Sequence, residues 1–129
     1  MANPLASDQE RDRILRKASV IDLVTRGRKT GLPRTVELWF AYEQGAVELL
    51  AHAGRLQPGT HWYRNLTVDP QVEVHVSGHS WPGRAAILSE SAVPAIVDRF
   101  RAKYGEATVR QWYDDTRRLP VRVTLDPVD

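Results

Sequence analysis

The chain has 129 residues, of which 42% are hydrophobic and 26% charged, and its formal net charge is +2. These totals predict one globular domain. A net charge of +2 gives no strong overall positive field and does not indicate nucleic-acid binding, so any binding of anions must depend on a local cluster of basic residues. The lack of cysteine excludes disulfides, thiolate metal sites and cysteine nucleophiles. Because there is no apolar signal core and no run near the ~20 residues that cross a bilayer, we expect a cytoplasmic protein.

The first predicted element is a helix of about ten residues that begins at a capping box, Ser7-Asp8-Gln9-Glu10. It is highly charged, and only Ile14, Leu15 and Ala18 offer apolar contacts. Such a helix can cover a sheet edge, bind a partner subunit or lie on a membrane surface. Its narrow apolar face and interspersed acids favour a packing or lid helix over peripheral membrane contact.

Two runs with strand character, residues 20–25 and 36–42, flank a turn that contains two glycines and a proline. Alternation in the second run separates two faces, one with Val36, Leu38, Phe40 and Tyr42 and the other with Thr35, Glu37, Trp39 and Ala41. Because both faces carry bulk, we expect this strand to be central and covered on both sides.

The turn between these strands, residues 26–34, is here called the basic turn. Arg26, Arg28, Lys29 and Arg34 place four cations in nine residues with no acid to offset them. Backbone N–H groups, the Thr30 hydroxyl and the local positive field suit an anion such as a phosphate. The alternative is a solvated loop whose arginines keep the protein soluble.

The middle of the chain continues the pattern of short strands. Glu43-Gln44-Gly45-Ala46 predicts a hairpin turn, residues 47–52 a return strand and residues 53–60 a loop. A short helix over residues 61–66 follows, with Thr60 as its N-cap. Trp62 and Leu66 are spaced to plug one end of a barrel, and the same helix is suited to border a planar ligand. The two interpretations are compatible.

Two further strands, residues 72–76 and 81–88, turn at Ser77-Gly78-His79. The inner face of the second is predicted to be Trp81, Ala85 and Ile87, or their alternates if Pro82-Gly83 forms a bulge.

Helical segments and one strand complete the chain. Residues 91–104 predict a helix with a stripe of Val93, Ile96, Val97, Phe100 and Tyr104, and Gly105 stops it. A second helical segment has Val109, Trp112, Tyr113 and Thr116 at the same spacing. The last strand, residues 119–125, has one apolar face. The order of these helices and strands along the chain predicts an α+β protein. We expect a small antiparallel barrel of about six hairpin-linked strands, with an N-terminal helix and two helices before the last strand.

No side-chain set in the sequence indicates chemistry of its own. His75 and His79 straddle a turn without a nearby carboxylate to complete a metal site, so we predict no metal. Asp114 and Asp115 are neighbours on a helix and point in different directions, which rules out an acid–base dyad. Redox chemistry borrowed from a bound cofactor fits a chain with neither nucleophile nor proton relay.

Residues 24–42, Val-Thr-Arg-Gly-Arg-Lys-Thr-Gly-Leu-Pro-Arg-Thr-Val-Glu-Leu-Trp-Phe-Ala-Tyr, resemble the signature of the deazaflavin-dependent nitroreductase (quinone reductase) family. Residues 62–66 with 69–72, and residues 119–123, match further segments in the same order. The resemblance implies a single split β-barrel domain over residues 1–129, with residues 1–18 as a helical extension. It also implies binding of coenzyme F-420 and hydride transfer from its reduced form to a quinone, nitroaromatic or other electron-poor acceptor.

The resemblance implies cofactor-binding residues in separate segments. In the basic turn, Arg28, Lys29 and Thr30 would line the phosphate and tail. The following strand would run along the cofactor with its backbone facing the ring: Arg34, Thr35, Val36, Glu37, Leu38 and Trp39. The other predicted contacts are Leu50, Ala51, His52, Ala53, Gly54, His61, Trp62, Tyr63 and Asn65. The phosphate of FMN would bind the same cations and hydrogen-bond donors of the basic turn, so FMN is the alternative cofactor.

The chain departs from this family in two places. Many relatives have a lysine where this chain reads Ala51-His52-Ala53-Gly54-Arg55, so either Arg55 or His52 replaces that charge or the tail is held less tightly. Tyrosines in the late helical region form the family's acceptor pocket, and this chain offers Tyr104, Trp112 and Tyr113. Tyr113 either donates a proton to the acceptor or only packs.

The alternative function is a non-catalytic carrier that binds F-420, FMN, haem or a fatty acid on the same barrel. The sequence is consistent with either a monomer or a homodimer.

Overall fold

The structure, a computed structural model, describes residues 4–54, 59–113 and 116–128, with burial described from residue 8. The predictions for Arg55 and for the Asp114–Asp115 pair lie outside these residues. The α-helices are α1 (Pro4–Lys17), α2 (His61–Val68), α3 (Val93–Tyr104) and α4 (Glu106–Trp112). The strands are β1 (Ile21–Arg26), β2 (Pro33–Leu38), β3 (Ala41–Glu43), β4 (Ala46–His52), β5 (Gln71–Val76), β6 (His79–Ile87) and β7 (Arg118–Leu125). A 3₁₀ turn, Glu90–Ala92, precedes α3.

The strands form one sheet in the order β2-β1-β5-β6-β7-β4-β3, and each neighbouring pair is antiparallel. Apolar residues from the inner face of the sheet pack with Leu15 of α1 and with Trp62 and Leu66 of α2 in one core. The predicted fold class, an antiparallel split β-barrel with helices at its start and before its last strand, is confirmed. No helix in the described part of the chain is long and apolar enough to span a membrane.

The strand predicted over residues 36–42 is interrupted, which is why the sheet has seven strands where about six were expected. At Phe40, side chains of α3 bond the backbone: Tyr104 Oη accepts from the Phe40 N–H at 3.0 Å, and Lys103 Nζ donates to the Phe40 carbonyl at 3.0 Å. β2 is also an edge strand with four of its six residues exposed, so the prediction of a central, doubly covered strand is wrong.

The two faces predicted for the same segment are confirmed. Val36, Leu38 and Phe40 pack in the inner core. Trp39 and Ala41 pack in a second apolar cluster that includes residues of α3 and α4. Alternation therefore identifies the side of the sheet on which each residue lies, although it does not identify the strand's neighbours.

Helix α1 begins at Pro4, so Ser7 lies within the helix and the predicted capping box is wrong. Proline suits a helix's first turn, because its fixed φ is helical and its missing N–H has no partner there. Leu15 is fully buried, and Ile14 and Ala18 pack against the same core. The predicted packing role of this helix is therefore confirmed.

In β6 the predicted inner face is only partly confirmed. Trp81 and Ala85 are buried, whereas Ile87 is 43% exposed because it lies at the last residue of the strand. Pairing with β5 continues without interruption through Pro82 and Gly83, so no bulge forms there. A side chain at Gly83 would place its Cβ 2.8 Å from the Thr124 carbonyl oxygen, and glycine permits this close strand approach.

The stripe predicted for α3 is buried at its centre, at Ile96, Val97 and Phe100. In α4 only Val109 is buried. Trp112 is 55% exposed and Thr116 lies beyond the helix, so the prediction that these two extend the apolar stripe is wrong. The helix ends before the stripe is complete.

Candidate functional site

Two cavities lie along β2, and both are lined by Thr60 and Trp62. The first, here called the basic cavity, has a volume of about 680 Å³ and includes part of the basic turn. The second, here called the aromatic cavity, has a volume of about 310 Å³. Both volumes fall in the range of about 300–1,000 Å³ typical of small-molecule sites.

The aromatic cavity lies where the two ends of the sheet face each other. It is lined by Leu38 and Trp39 on one side and by Leu50 and Ala51 of β4 on the other. β2 is the first strand in the sheet order and β4 the last but one. The sheet therefore curls until its ends approach, and the cavity occupies the gap between them.

The basic cavity collects half of the residues predicted to bind the cofactor. The predicted residues in its lining are Arg28, Lys29, Thr30, Arg34, Thr35, Val36, His61, Trp62 and Asn65. Thr25, Gly27 and Thr60 complete the described lining, which contains no acid. The positive charge of this cavity therefore has no opposing charge in its own described wall.

Backbone hydrogen bonds close the basic turn on itself. The Gly27 N–H donates to the Leu32 carbonyl at 2.8 Å, and the Gly31 N–H donates to the Gly27 carbonyl at 2.7 Å. Gly31 has φ +73°, a conformation that favours glycine. The Thr30 hydroxyl oxygen accepts from the Leu32 N–H at 3.2 Å, and its O–H is still available as a donor.

Asn65 of α2 holds the basic turn in place. Its Oδ1 accepts from the Arg28 N–H at 3.2 Å and from Arg28 Nη1 at 2.9 Å, while its Nδ2 donates to Thr25 Oγ1 at 3.1 Å. Arg28 Nη2 lies 3.3 Å from Nδ1 of His61. Asn65 is only 3% exposed, so α2 fixes the start of the turn and the Arg28 guanidinium through one buried amide.

The aromatic cavity contains most of the other predicted residues. Those that line it are Glu37, Leu38, Trp39, Leu50, Ala51, His52, Trp62 and Tyr113. Trp112 and Arg118 also line it. Three tryptophans and a tyrosine in one wall offer large flat surfaces, which suit a planar ring system.

Tyr113 is fixed by its neighbours in the aromatic cavity. Its ring lies 5.1 Å from that of Phe100, edge to face, and 5.9 Å from that of Trp39. The Arg118 guanidinium lies 4.4 Å from its centroid. Burial raises the pKa of Tyr113, so the residue is a neutral phenol at neutral pH and keeps a proton that it can donate.

Tyr104 does not line either cavity. Its hydroxyl accepts from the Phe40 N–H and donates to the Ser19 carbonyl at 2.7 Å. Of the three residues considered for an acceptor pocket, the structure therefore places only Trp112 and Tyr113 at the cavity.

Burial, with a smaller effect of the nearby Arg118 charge, lowers the pKa of His52. His52 is therefore neutral at neutral pH and does not supply the positive charge that sequence comparison leaves unaccounted for. Arg118 is a buried cation at this cavity that sequence reasoning missed. It precedes the last strand's apolar pattern, and no local pattern in the sequence indicates its burial.

Three predicted contacts lie outside both cavities. Tyr63 and Ala53 are buried in the inner core, and Gly54 is exposed with φ +77°. Thr60, predicted only as a cap, makes no side-chain cap hydrogen bond. Its buried Oγ1 has no partner among the described residues, and the residue lines both cavities. A bound polar group would satisfy this hydroxyl.

Comparison with known proteins finds a family that matches nearly the whole chain and curated relatives that match part of it. The sequence profile of the F420H(2)-dependent quinone reductase family matches residues 6–126. The F420H(2)-dependent quinone reductase Rv1261c of Mycobacterium tuberculosis is 33% identical over 72 residues. That match covers 56% of this chain and 46% of the relative, so the chain matches about half the length of its curated relatives.

Solved structures share the fold. The conserved hypothetical protein Rv2991 of Mycobacterium tuberculosis aligns with 92% of this chain and 79% of its own, at 21% identity and a TM-score of 0.71. An F420-H2 dependent reductase, FDR-A, aligns with 84% of this chain and 94% of its own, at 24% identity and a TM-score of 0.62. These structures show the fold, and the profile match across residues 6–126 shows that the chain belongs to the F420H(2)-dependent quinone reductase family.

Proposed function

We propose that this chain is a reductase that uses coenzyme F-420 and passes a hydride to a small electron-poor acceptor such as a quinone or a nitroaromatic. One observation carries the proposal. A basic cavity and an aromatic cavity adjoin along one strand, and both are lined by Thr60 and Trp62. This arrangement suits a cofactor that has a phosphorylated arm at one end and a tricyclic ring at the other.

The residues present fit such a cofactor. Lys29 and Arg34 are exposed cations at a cavity whose described lining contains no acid, and a phosphate there would be held by charge-assisted hydrogen bonds. The buried hydroxyl of Thr60 has no protein partner among the described residues, and a ligand oxygen would satisfy it. Arg28 is already oriented by Asn65, which lowers the conformational entropy lost on binding.

The edge position of β2 gives its backbone a role in binding. Among the strands that the structure describes, β2 pairs with β1 alone. Half of the backbone N–H and C=O groups of an edge strand point away from its neighbour and lack sheet partners. Those of residues 33–38 are therefore available to the polar edge of a ring, whereas a central strand has no such groups to offer.

When bound, the reduced cofactor supplies a hydride from C5 of its deazaflavin ring. The chain's own groups bind and orient. Cations of the basic turn would hold the phosphate, and backbone amides of β2 would stabilise negative charge on the pyrimidine end of the ring. Trp39, Trp62 and Trp112 line the aromatic cavity and would shield from water an acceptor stacked on the ring.

Side-by-side titration of the protein with F-420 and FMN tests the cofactor assignment. We expect F-420 to bind more tightly than FMN; tighter FMN binding, or no binding of F-420, would refute the assignment. Oxidation of reduced F-420 in the presence of menadione then tests the reaction. Tight binding without acceptor-dependent oxidation would instead identify a carrier.

A further inference from the structure

Arg118 places a buried guanidinium in the wall of the aromatic cavity. The residue is only 8% exposed and is the first residue of β7. Its Nη2 donates to the Trp112 carbonyl at 2.6 Å, and its Nε donates to Thr116 Oγ1 at 3.2 Å. A guanidinium carries five N–H donors, so capping α4 and bonding Thr116 occupy only part of its capacity.

The charge of Arg118 has no described counter-ion. No carboxylate among the described residues lies within ion-pair distance of it, and Glu37, the one acid in the described lining of this cavity, forms no ion pair with it. A buried cation without a counter-ion is unfavourable even when it bonds a carbonyl and lies over an aromatic ring, as Arg118 does, and an anionic oxygen in the cavity would relieve that cost. Helix capping alone does not require a full positive charge at this position.

We propose that Arg118 binds the acceptor oxygen that becomes negatively charged when the hydride arrives. The inference rests on the proposed function and assigns one residue to its acceptor, here considered as a quinone. The C5–H bond of the reduced coenzyme breaks, its hydride forms an O–H bond with one quinone oxygen, and the displaced π-electron pair comes to rest on the other quinone oxygen, which faces Arg118. The coenzyme also loses its N1 proton, and a proton completes the second O–H bond, so reduced coenzyme and quinone give oxidised coenzyme and hydroquinone.

Binding of two naphthoquinones to the cofactor-free protein tests this role. Menadione is neutral, whereas 2-hydroxy-1,4-naphthoquinone is an enolate anion at pH 7 and mimics the charge that develops on the acceptor. Trp39, Trp62 and Trp112 line the cavity, so quenching of tryptophan fluorescence reports binding. We expect the anion to bind at least about tenfold more tightly, as a charge-assisted hydrogen bond provides. Equal affinities would overturn the proposal.

Two variants assign the preference to one side chain. In Arg118→Met we expect the affinity for the anion to fall about tenfold or more and that for menadione to change by less than about threefold. Arg117→Met is the matched control, because Arg117 is exposed and pairs with Glu90 away from the cavity. It should leave both affinities unchanged. An equal loss for both ligands in Arg118→Met would show a purely structural role and refute the proposal.

Circular dichroism and thermal melting establish whether Arg118→Met folds. If it does not, Arg118→Lys keeps the charge and should retain a preference for the anion, and loss of that preference would refute the proposal. In turnover with reduced F-420, Arg118→Met should lower kcat for menadione and leave KM nearly unchanged, because the oxygen becomes charged only in the transition state.

The outcomes separate this proposal from the proposed function. The naphthoquinone titrations contain no F-420, so anion preference without F-420 binding would leave the Arg118 site standing and end the cofactor assignment. F-420 binding without a preference for the anionic naphthoquinone would support the cofactor assignment and refute the proposed role of Arg118. Arg28→Ala, in the other cavity, should not alter the affinity for either naphthoquinone.

Discussion

Asn65 joins three parts of the molecule with one side chain. It receives two hydrogen bonds from Arg28 in the basic turn and donates one to Thr25 of β1, while its own backbone belongs to α2. Satisfied buried polar groups of this kind fix a single arrangement, because any alternative leaves a polar group unpaired. The position of the Arg28 guanidinium is therefore set before any ligand arrives.

Replacing Arg28 by alanine should weaken F-420 binding at least tenfold. The variant loses a charge-assisted phosphate contact worth roughly 1.5–3 kcal/mol. Asn65 still accepts from the backbone N–H of residue 28, so the turn should keep its conformation. Titration of the variant beside Arg13→Ala, which removes an exposed cation of α1, measures the effect. An unchanged dissociation constant for Arg28→Ala would refute the assignment of this residue.

Removing the hydroxyl of Tyr113 distinguishes proton donation to the acceptor from simple packing. Tyr113→Phe keeps the ring that packs against Phe100 and Trp39, and it removes only the O–H. If packing is the role, as we expect, kcat with menadione should fall by less than about tenfold. A loss of about 100-fold or more, in the range of general acid catalysis, would identify Tyr113 as the proton donor.

The sequence predicts some site residues better than others, for a physical reason. The cations of the basic turn and the following strand residues are contiguous, so a local pattern reveals them. Thr60 and Arg118 come to the site from separate segments. The Thr60 hydroxyl is buried without a partner among the described residues, and the Arg118 guanidinium is buried without a described counter-ion. No local pattern reports burial of a polar side chain, and these residues become visible only in the structure.

At the scale of elements, Tyr104 ends one strand and fixes a helix. Its hydroxyl bonds the Phe40 N–H and the Ser19 carbonyl, so it connects α3 to the segment between β2 and β3 and to the residue that precedes β1 by two. Its ring stacks on Trp39 at a centroid distance of 4.8 Å. This contact explains why an apolar run that alternates without a break becomes two strands.

Tyr104→Phe should lower the free energy of unfolding by about 1–3 kcal/mol at neutral pH, because the Phe40 N–H loses its partner. Burial raises the pKa of Tyr104 from 10.0 to about 12 in the folded protein. The folded state therefore favours the neutral phenol, and this stabilisation is present below pH 10 and lost as the pH rises through about 12. Urea unfolding at several pH values should show the two proteins converging over that interval; a constant difference would contradict this account.

A buried carboxylate joins three further elements. Glu48 of β4 is 1% exposed; its Oε2 accepts from Arg99 Nη2 of α3 at 2.7 Å and from Arg122 Nη2 of β7 at 3.2 Å. Glu48→Gln leaves both cations without this charge and should lower the free energy of unfolding by roughly 1.5–3 kcal/mol. Glu43→Gln is the control, since Glu43 also pairs with Arg99 but its side chain is 55% exposed, and it should change stability by less than about 0.5 kcal/mol. Equal effects in the two variants would show that burial is not the cause.

The sequence largely predicts which segments are helices and strands, but it does not predict which strands are neighbours in the sheet. Alternation identifies the strands and both faces of residues 36–42, and Gln44-Gly45 and Ser77-Gly78 turn with positive φ as their sequences suggest. Bulk on both faces predicts a central position, yet β2 is an edge strand with four of its six residues exposed. Neighbours depend on pairings distant in sequence, which a local pattern does not contain.

At the scale of the whole molecule, the gap in the barrel forms the site. The sheet begins with β2 and ends with β4 and β3, and its curl brings these ends to opposite sides of the aromatic cavity. Trp62 of helix α2 belongs both to the inner core and to the walls of both cavities. A residue of the barrel core thus also borders the proposed ring site.

The structure of the protein with F-420 bound tests the central claim most directly. The account predicts the phosphate within hydrogen-bond distance of Arg28 and Lys29, the deazaflavin ring against the β2 backbone, and the exposed ring face toward the aromatic cavity. A structure in which the cofactor lies elsewhere, while Arg28 and Lys29 contact only solvent and protein, would contradict it.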